Sequence, residues 1–123
     1  MAGMACTITE EAYGSVKKIK FAWTSDDSAG TASGTTTGAY TGEIIRLVTV
    51  PGTVGDQPSN NYGCVVNDED GNDVLMGGGA TRSNAATQQV LGSSLGCVAN
   101  DKVALAISAA GNSKKGTVYL YIR

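Results

Sequence analysis

Histidine is absent from the 123-residue sequence, and other residues that anchor chemistry are few. Without an imidazole, the chain has no base for a Ser/His/Asp triad and no histidine ligand for a metal. The three cysteines, Cys6, Cys64 and Cys97, lie far apart and form no C-x-x-C motif, so we interpret them as reduced thiols used as small core residues. The sequence therefore predicts no catalytic residue, no cofactor site and no metal site.

Strong charge of one sign and long apolar runs are missing as well. A formal net charge of -2 excludes the strongly basic footprint of a nucleic-acid-binding domain. No apolar run approaches the roughly 20 residues of a membrane-spanning helix, and residues 1–10 lack the basic and apolar segments of a secretory signal. We therefore expect neither nucleic acid nor a membrane as a partner.

Glycine is abundant, with 17 residues, and most of the chain alternates apolar and polar side chains. Alternation with a period of two is typical of strands with one buried face. It predicts strands at residues 16–24, 43–50, 62–67, 103–108 and 118–122, and it favours an edge strand or an extended surface segment at 31–37. Residues 81–91 lack the alternation and form the one candidate helical turn.

Turn signals predict how some strands are joined. An Asp-Gly pair within residues 68–73 predicts a hairpin that returns through residues 74–76. Residues 110–116 are expected to join the last two strands into a terminal hairpin. Together these patterns predict one all-β domain over residues 1–123, an antiparallel β-sandwich or jelly roll of seven to nine short strands. Residues 1–15 are a candidate N-terminal arm of that domain.

The acidic turn at residues 68–73 has the alternate oxygen ligands with which a calcium loop begins, at Asp68, Asp70 and Asn72. That motif requires glycine at its sixth position and glutamate at its twelfth, where Asp73 and Gly79 stand instead. A solvated turn is therefore the favoured interpretation, and we expect folding to need no bound ion.

Aromatic residues in two strands are candidates for a surface. Phe21 and Trp23 follow a cluster of lysines at 17, 18 and 20, and we interpret them as core residues with Lys18 and Lys20 on the wet face of the strand. Tyr119 and Tyr121 point away from the apolar side of the last strand, so they belong either to an interface or to ordinary packing between sheets. Because the apolar core is thin for this length, we expect stability to come partly from association into a dimer or trimer.

Four stretches of the sequence carry a family resemblance: residues 17–26 (KKIKFAWTSD), 38–52 (GAYTGEIIRLVTVPG), 67–75 (NDEDGNDVL) and 116–123 (GTVYLYIR). Together they resemble small all-β structural proteins of tailed bacteriophages and prophages, across residues 16–123, and they are most similar to head decoration, or cement, proteins. The resemblance implies a non-enzymatic protein, made in the host cytoplasm, that binds the outside of the capsid shell. Its partners would be copies of itself and the major capsid protein.

Other functions remain open at this point. A tail, neck or fibre-base component is one alternative, and a carbohydrate- or receptor-binding module is another. A small hydrolase is disfavoured because histidine and a coherent nucleophile are absent.

Two segments are the candidate contacts with the shell, because they have few side chains to anchor them in a core. One is the N-terminal segment from Met1 to Ala5, and the other is the glycine- and threonine-rich stretch 30–42, with Thr35, Thr36 and Thr37 at its centre. Deleting the first segment, or replacing these threonines with aspartate, is expected to weaken particle binding and to leave the fold intact.

Overall fold

The structure is a computed structural model that describes residues 4–28 and 30–123. These residues form nine strands and one short 3-10 helix, Gly92–Ser94. The strands are β1 (Ala5–Tyr13), β2 (Val16–Thr24), β3 (Ala32–Thr35), β4 (Tyr40–Pro51), β5 (Gly63–Asn67), β6 (Gln88–Leu91), β7 (Cys97–Asp101), β8 (Ala104–Ser108) and β9 (Lys115–Ile122). The predicted all-β antiparallel sandwich is confirmed.

The strands form two sheets. The larger sheet has the order β1-β2-β9-β4-β6, with β7 also paired to β4, and the smaller sheet has the order β3-β8-β5. Every pairing between these strands is antiparallel. The apolar core lies between the sheets, which leaves each sheet with an outer face toward solvent.

Strand β2 shows how the alternating sequence builds the core. Ile19, Phe21 and Trp23 are fully or almost fully buried, while the residues between them stay partly exposed. The Trp23 indole lies so close to Gly116 on β9 that a Cβ atom there would overlap Cζ2 of the ring, so this position requires glycine. Across the core the indole packs against Tyr62, with the ring centroids 5.6 Å apart.

Strand β4 carries an irregularity that positions side chains on the outer face of the larger sheet. Its register against β9 shifts between Ile44 and Arg46. As a result Ile44 and Leu47 are both buried in the core, although they are three residues apart. Arg46 and Val48 then lie on the outer face of the sheet.

The last two strands do not form the predicted terminal hairpin. Strand β8 pairs with β3 and β5, whereas β9 pairs with β2 and β4, so the chain crosses from the smaller sheet to the larger one. The crossing loop is tied to buried Ser25, whose hydroxyl donates to the Gly111 carbonyl at 2.6 Å and accepts from the Lys114 N–H at 2.8 Å. These bonds hold the loop against the end of β2, and the strands on its two sides enter different sheets.

The chain does turn back after β5, with Asn67 bridged to Asp73 and the Val74 N–H donating to the Val66 carbonyl at 2.8 Å, but residues 74–76 continue as turns and not as a strand. The prediction for residues 81–91 is wrong. The candidate helical turn at residues 81–91 ends in strand β6, and the 3-10 helix follows it.

The candidate arm at residues 1–15 is also corrected. Residues 5–13 form β1, which pairs with β2 along its whole length, so this part of the candidate arm belongs to the larger sheet, while residues 1–3 lie outside the described residues. The three cysteines are free, and only Cys64 is fully buried. Cys6 is half-buried against the core, and Cys97 is exposed, so the core interpretation is wrong for Cys97.

Candidate binding surfaces

Stretch 30–42, one of the two segments predicted to contact a shell, packs against strand β1, mainly beyond the other predicted segment, Met1 to Ala5. We call this contact the β1–β3 seam, formed by Cys6, Ile8 and Glu10 of β1 with Gly34 of β3 and with residues 36–40. At its centre, the Glu10 carboxylate accepts hydrogen bonds from the Thr37 N–H at 3.0 Å, the Thr37 hydroxyl at 2.9 Å, the Gly38 N–H at 3.1 Å and the Tyr40 hydroxyl at 2.5 Å. Stretch 30–42 is therefore anchored to the N-terminal strand.

Small residues let the two strands of the seam approach closely. A Cβ atom on Gly34 would lie 2.8 Å from the Cys6 Sγ atom and 3.1 Å from the Ile8 Cδ1 atom. Both distances are shorter than ordinary van der Waals contacts, so the half-buried side chains of Cys6 and Ile8 fill the space that a larger residue would need. Gly34, in a stretch that the sequence shows to have few anchoring side chains, is therefore required by the packing against β1.

The carboxylate of Glu10 is held in its charged form. Burial raises its pKa, but the hydrogen bonds from Tyr40, Thr37 and Gly38 outweigh burial and leave the pKa below its ordinary value. Burial and the neighbouring Glu10 carboxylate raise the pKa of the Tyr40 hydroxyl, so Tyr40 remains a donor at neutral pH. This network behaves as a structural clamp, because its donors and acceptors satisfy one another within the chain.

The predicted contact residues have different roles. Met1 lies outside the described residues, and Ala5 is exposed at the start of β1. Thr35 and Thr37 are exposed, but Thr36 is only 2% exposed. The Thr36 hydroxyl donates to the Gly38 carbonyl and accepts from the Val103 N–H, at 2.9 and 3.1 Å. Thr36 is therefore part of the sandwich, which corrects its assignment as a contact residue.

The tyrosines of β9 lie on the outer face of the larger sheet, as their spacing predicted. Val118, Leu120 and Ile122 are fully buried, while Tyr119 and Tyr121 are half-buried on the opposite face. In the strand register, Tyr119 lies between Lys20 and Val48, and Tyr121 lies between Lys18 and Arg46. We call the group Lys18, Lys20, Arg46, Tyr119 and Tyr121 the cationic–aromatic face.

The cations of this face rest against neutral aromatic rings. The Lys18 and Lys20 Nζ atoms are 5.3 and 6.0 Å from the Tyr119 ring centroid, and the Arg46 Cζ atom is 5.2 Å from that of Tyr121. These distances are in the range of cation–π contacts. The Arg46 Nε also donates to the Gln89 Oε1 at 3.0 Å. The side chains are therefore partly ordered before any partner binds, and their positive charges remain on the surface.

Negative charge is gathered at one end of the sandwich. Asp68 and Asp70, in the turn after β5, lie near Asp101 at the end of β7, with carboxylate oxygens within 4.8 Å of one another. Glu69 accepts a hydrogen bond from the Lys102 N–H at 3.0 Å. We call Asp68, Glu69, Asp70 and Asp101 the acidic tip.

The acidic tip could not be found from local sequence, because Asp101 lies 31 residues after Asp70. Asp68 itself has a structural role, since its Oδ1 accepts from the N–H groups of Asp70 and Asn72, both at 3.0 Å. Desolvation and the negative charges of Asp70, Asp68 and Glu69 raise the pKa of Asp101. Like charges are therefore crowded here, and the expectation that folding needs no ion stays a prediction.

Comparison of the chain with protein-family models, with curated proteins and with solved structures gives no match. Among the described residues, no helix has the length and apolar character needed to cross a membrane. The sequence patterns and the geometry of these surfaces are therefore the basis for assigning a function.

Proposed function

We propose that this chain is a non-enzymatic structural protein of a tailed-bacteriophage particle, where it decorates the outside of the capsid. In this role it associates with copies of itself and binds the major capsid protein. The observation that supports the proposal best is the cationic–aromatic face, a broad sheet surface with tyrosine and arginine on its solvent side. These residue types are enriched in protein interfaces, and particularly among the residues that contribute most to binding.

The ordered side chains of the cationic–aromatic face favour a protein partner. Because Lys18, Lys20 and Arg46 already rest on the tyrosine rings, they have less conformational freedom to lose on association. Val48 lies on the same face between them and is only 6% exposed, so its neighbours already close over it. A partner that binds this surface therefore buries contact area while the side chains lose little conformational entropy.

Contact with the shell is assigned to the exposed part of the β1–β3 seam. The exposed residues are Thr37, within the seam, and Ala5 and Thr35, which flank it on β1 and β3 at neighbouring edges of the two sheets. Edge strands carry backbone groups that a neighbouring chain can pair with. The proposal thus separates a face for self-association from an edge for attachment.

A carbohydrate-binding module is the second candidate function, since exposed tyrosines also suit sugar rings. A sugar stacks on a free aromatic face, whereas cations lie over the rings of Tyr119 and Tyr121. This arrangement favours the protein partner over the sugar. A glycan array tests the choice: selective binding that is lost in Tyr119→Ala would support the carbohydrate function.

Cryo-electron microscopy of the parent particle tests the main proposal. We expect density for a nine-stranded sandwich on the outside of the capsid shell, at boundaries between capsomers. Density at the tail, neck or fibre base would instead favour the other structural role. Purified particles without this protein would contradict both.

Attachment can be tested separately with variants of the exposed seam. Thr35→Lys is expected to reduce occupancy on particles, because its bulk and charge lie on the assigned edge. Val65→Lys, on the outer face of the smaller sheet, is the matched control and is expected to keep full occupancy. Equal occupancy of both variants would contradict this assignment of the shell contact.

A further inference from the structure

The cationic–aromatic face and the acidic tip are the two strongly charged regions among the described residues, and they have opposite signs. Lys18, Lys20 and Arg46 supply the positive charge of the face, and Lys115 continues it along β9. The tip brings together four carboxylates, although the whole chain has a net charge of only -2. Positive charge thus predominates on the face, where Glu11 of β1 lies opposite Lys18 in the strand register, and negative charge predominates at the tip, where Lys102 follows Asp101.

Neither region is neutralised by the other within one chain. The cations of the face lie over tyrosine rings. The tip is formed where β5 of the smaller sheet and β7 end, and there desolvation and the neighbouring carboxylates raise the pKa of Asp101. Each region would gain from a group of opposite charge, and a second copy of the chain carries both.

We propose that the cationic–aromatic face of one copy binds the acidic tip of a second copy. The contact can be reciprocal in a dimer or can pass around a closed ring such as a trimer. Packing the face against its own copy in a second molecule is disfavoured, because it brings Lys18, Lys20 and Arg46 against like charges. This inference rests on the proposed self-association of the protein, but it does not depend on location in a virion.

The shape of the tip suits this contact. Glu69 and Asp70 are exposed, and the turn that carries them is rigid, because Asp68 accepts two N–H groups within it. On the face, the guanidinium of Arg46 and the two lysines present donors on either side of the tyrosines. Carboxylates inserted there would meet cations while the tyrosine rings cover the contact from water.

Charge reversal on each side tests the proposal. The face variant K18E/K20E and the tip variant D70K/D101K leave Asp68, which orders the turn, unchanged. Each variant alone is expected to weaken self-association at least about tenfold in analytical ultracentrifugation. An equimolar mixture is expected to restore association, since the negative face of one variant meets the positive tip of the other and the remaining pair is native.

Controls separate this inference from loss of folding and from failure of the proposed function. Lys114→Glu makes the same kind of charge change outside both regions and is expected to associate like the wild type. Circular dichroism confirms folding, and if a reversal variant does not fold, the neutral variants K18Q/K20Q and D70N/D101N are expected to weaken association in its place. Association is also expected to weaken between roughly 0.1 and 0.5 M salt, because screening shortens electrostatic range.

Two outcomes would overturn the inference. If the wild type associates and the tip variant associates equally well, the face binds something other than the tip. If the wild type is monomeric at every concentration, self-association itself fails, and with it the part of the proposed function on which the inference rests. Decoration of the capsid by monomers would still be visible on particles, so the two failures are distinguishable.

Discussion

The β1–β3 seam and the cationic–aromatic face each contain residues that the sequence predicts as contacts, Thr37 in the seam and Tyr119 and Tyr121 in the face, but their polar groups are satisfied in opposite ways. In the seam, the Glu10 carboxylate receives four hydrogen bonds from the same chain. On the face, Lys18, Lys20 and Arg46 lie over neutral rings and keep their charge at the surface. Polar groups that are satisfied internally stabilise a fold, whereas charges left at the surface remain available to a partner.

The largest effect on stability is expected from a substitution at Thr36. Thr36→Asp places a charge at a position that is 2% exposed and removes bonds to Gly38 and Val103. An unpaired buried charge costs at least about 3 kcal/mol, a large fraction of a typical domain's free energy of unfolding, so we expect a strong decrease in melting temperature. Thermal unfolding measures this.

The neighbouring threonine supplies the control for Thr36. Thr35 is exposed on β3, and Thr35→Asp is expected to cost less than about 1 kcal/mol. If both variants melt like the wild type, the threonine segment is not part of the sandwich, and the assignment of Thr36 to the fold is wrong.

The fold was predictable where side-chain alternation alone decides which face is buried. Ile19, Phe21 and Trp23 illustrate this, and so do the outward tyrosines of β9. Alternation does not say which strands pair, so it does not show that the chain crosses from the smaller to the larger sheet between β8 and β9. The alternating pattern also does not show the role of Ser25, whose hydroxyl holds the crossing loop from more than 80 residues away.

The candidate surfaces were predictable to a smaller extent. Thr35, Thr36 and Thr37 are identical in hydropathy, so only the hydrogen bonds of the folded chain show that the middle one is buried. The acidic tip needs Asp101 beside Asp68, a contact created by the folded arrangement of β5 and β7. Sequence identified the residue types of these surfaces, and the folded chain determines which of them meet.

The hydrogen-bond network around the Glu10 carboxylate, the clamp of the seam, is expected to have a moderate effect on stability. Glu10→Gln keeps the shape of the side chain but removes the charge that its four donors favour. Hydrogen bonds to a charged group contribute about 1.5–3 kcal/mol when buried, and discounting for the solvent exposure of Glu10 leaves a loss of about 1 kcal/mol. Glu11→Gln, at the adjacent exposed carboxylate, is the matched control and is expected to have little effect.

The stability of the clamp depends on pH in a defined direction. Because the pKa of Glu10 is lowered from its ordinary 4.5, the carboxylate stabilises the fold above that pH. This contribution is lost as the pH falls through the lowered pKa of the folded state. The unfolding curves of wild type and Glu10→Gln are therefore expected to differ at pH 7 and to converge in acid, and a constant difference would argue against a role for the charge.

Tyr119 is expected to matter more for self-association than for folding. Tyr119→Ser is expected to change the free energy of unfolding by only about 1 kcal/mol, since the ring is half-buried on the outer face. Self-association is expected to weaken about tenfold or more, because the variant removes the ring that Lys18 and Lys20 cover. Val65→Ser, on the outer face of the smaller sheet, controls for loss of an apolar surface side chain. Equal association of both variants would remove Tyr119 from the interface.

The smallest effect on stability is expected at Asp101, whose carboxylate lies close to those of Asp68 and Asp70. Desolvation together with Asp70, Asp68 and Glu69 raises the pKa of Asp101, so its ionised form opposes folding, and stability is lost as the pH rises through that pKa. Asp101→Asn removes this repulsion, and we expect a small increase in melting temperature at pH 7 that disappears in acid and in high salt. A chelator in the buffer keeps divalent cations from masking the repulsion, and Glu43→Gln controls for the change in net charge. A lower melting temperature for Asp101→Asn would show that its carboxylate makes a favourable contact within the chain, and the acidic tip would then resemble the satisfied seam more than the open face.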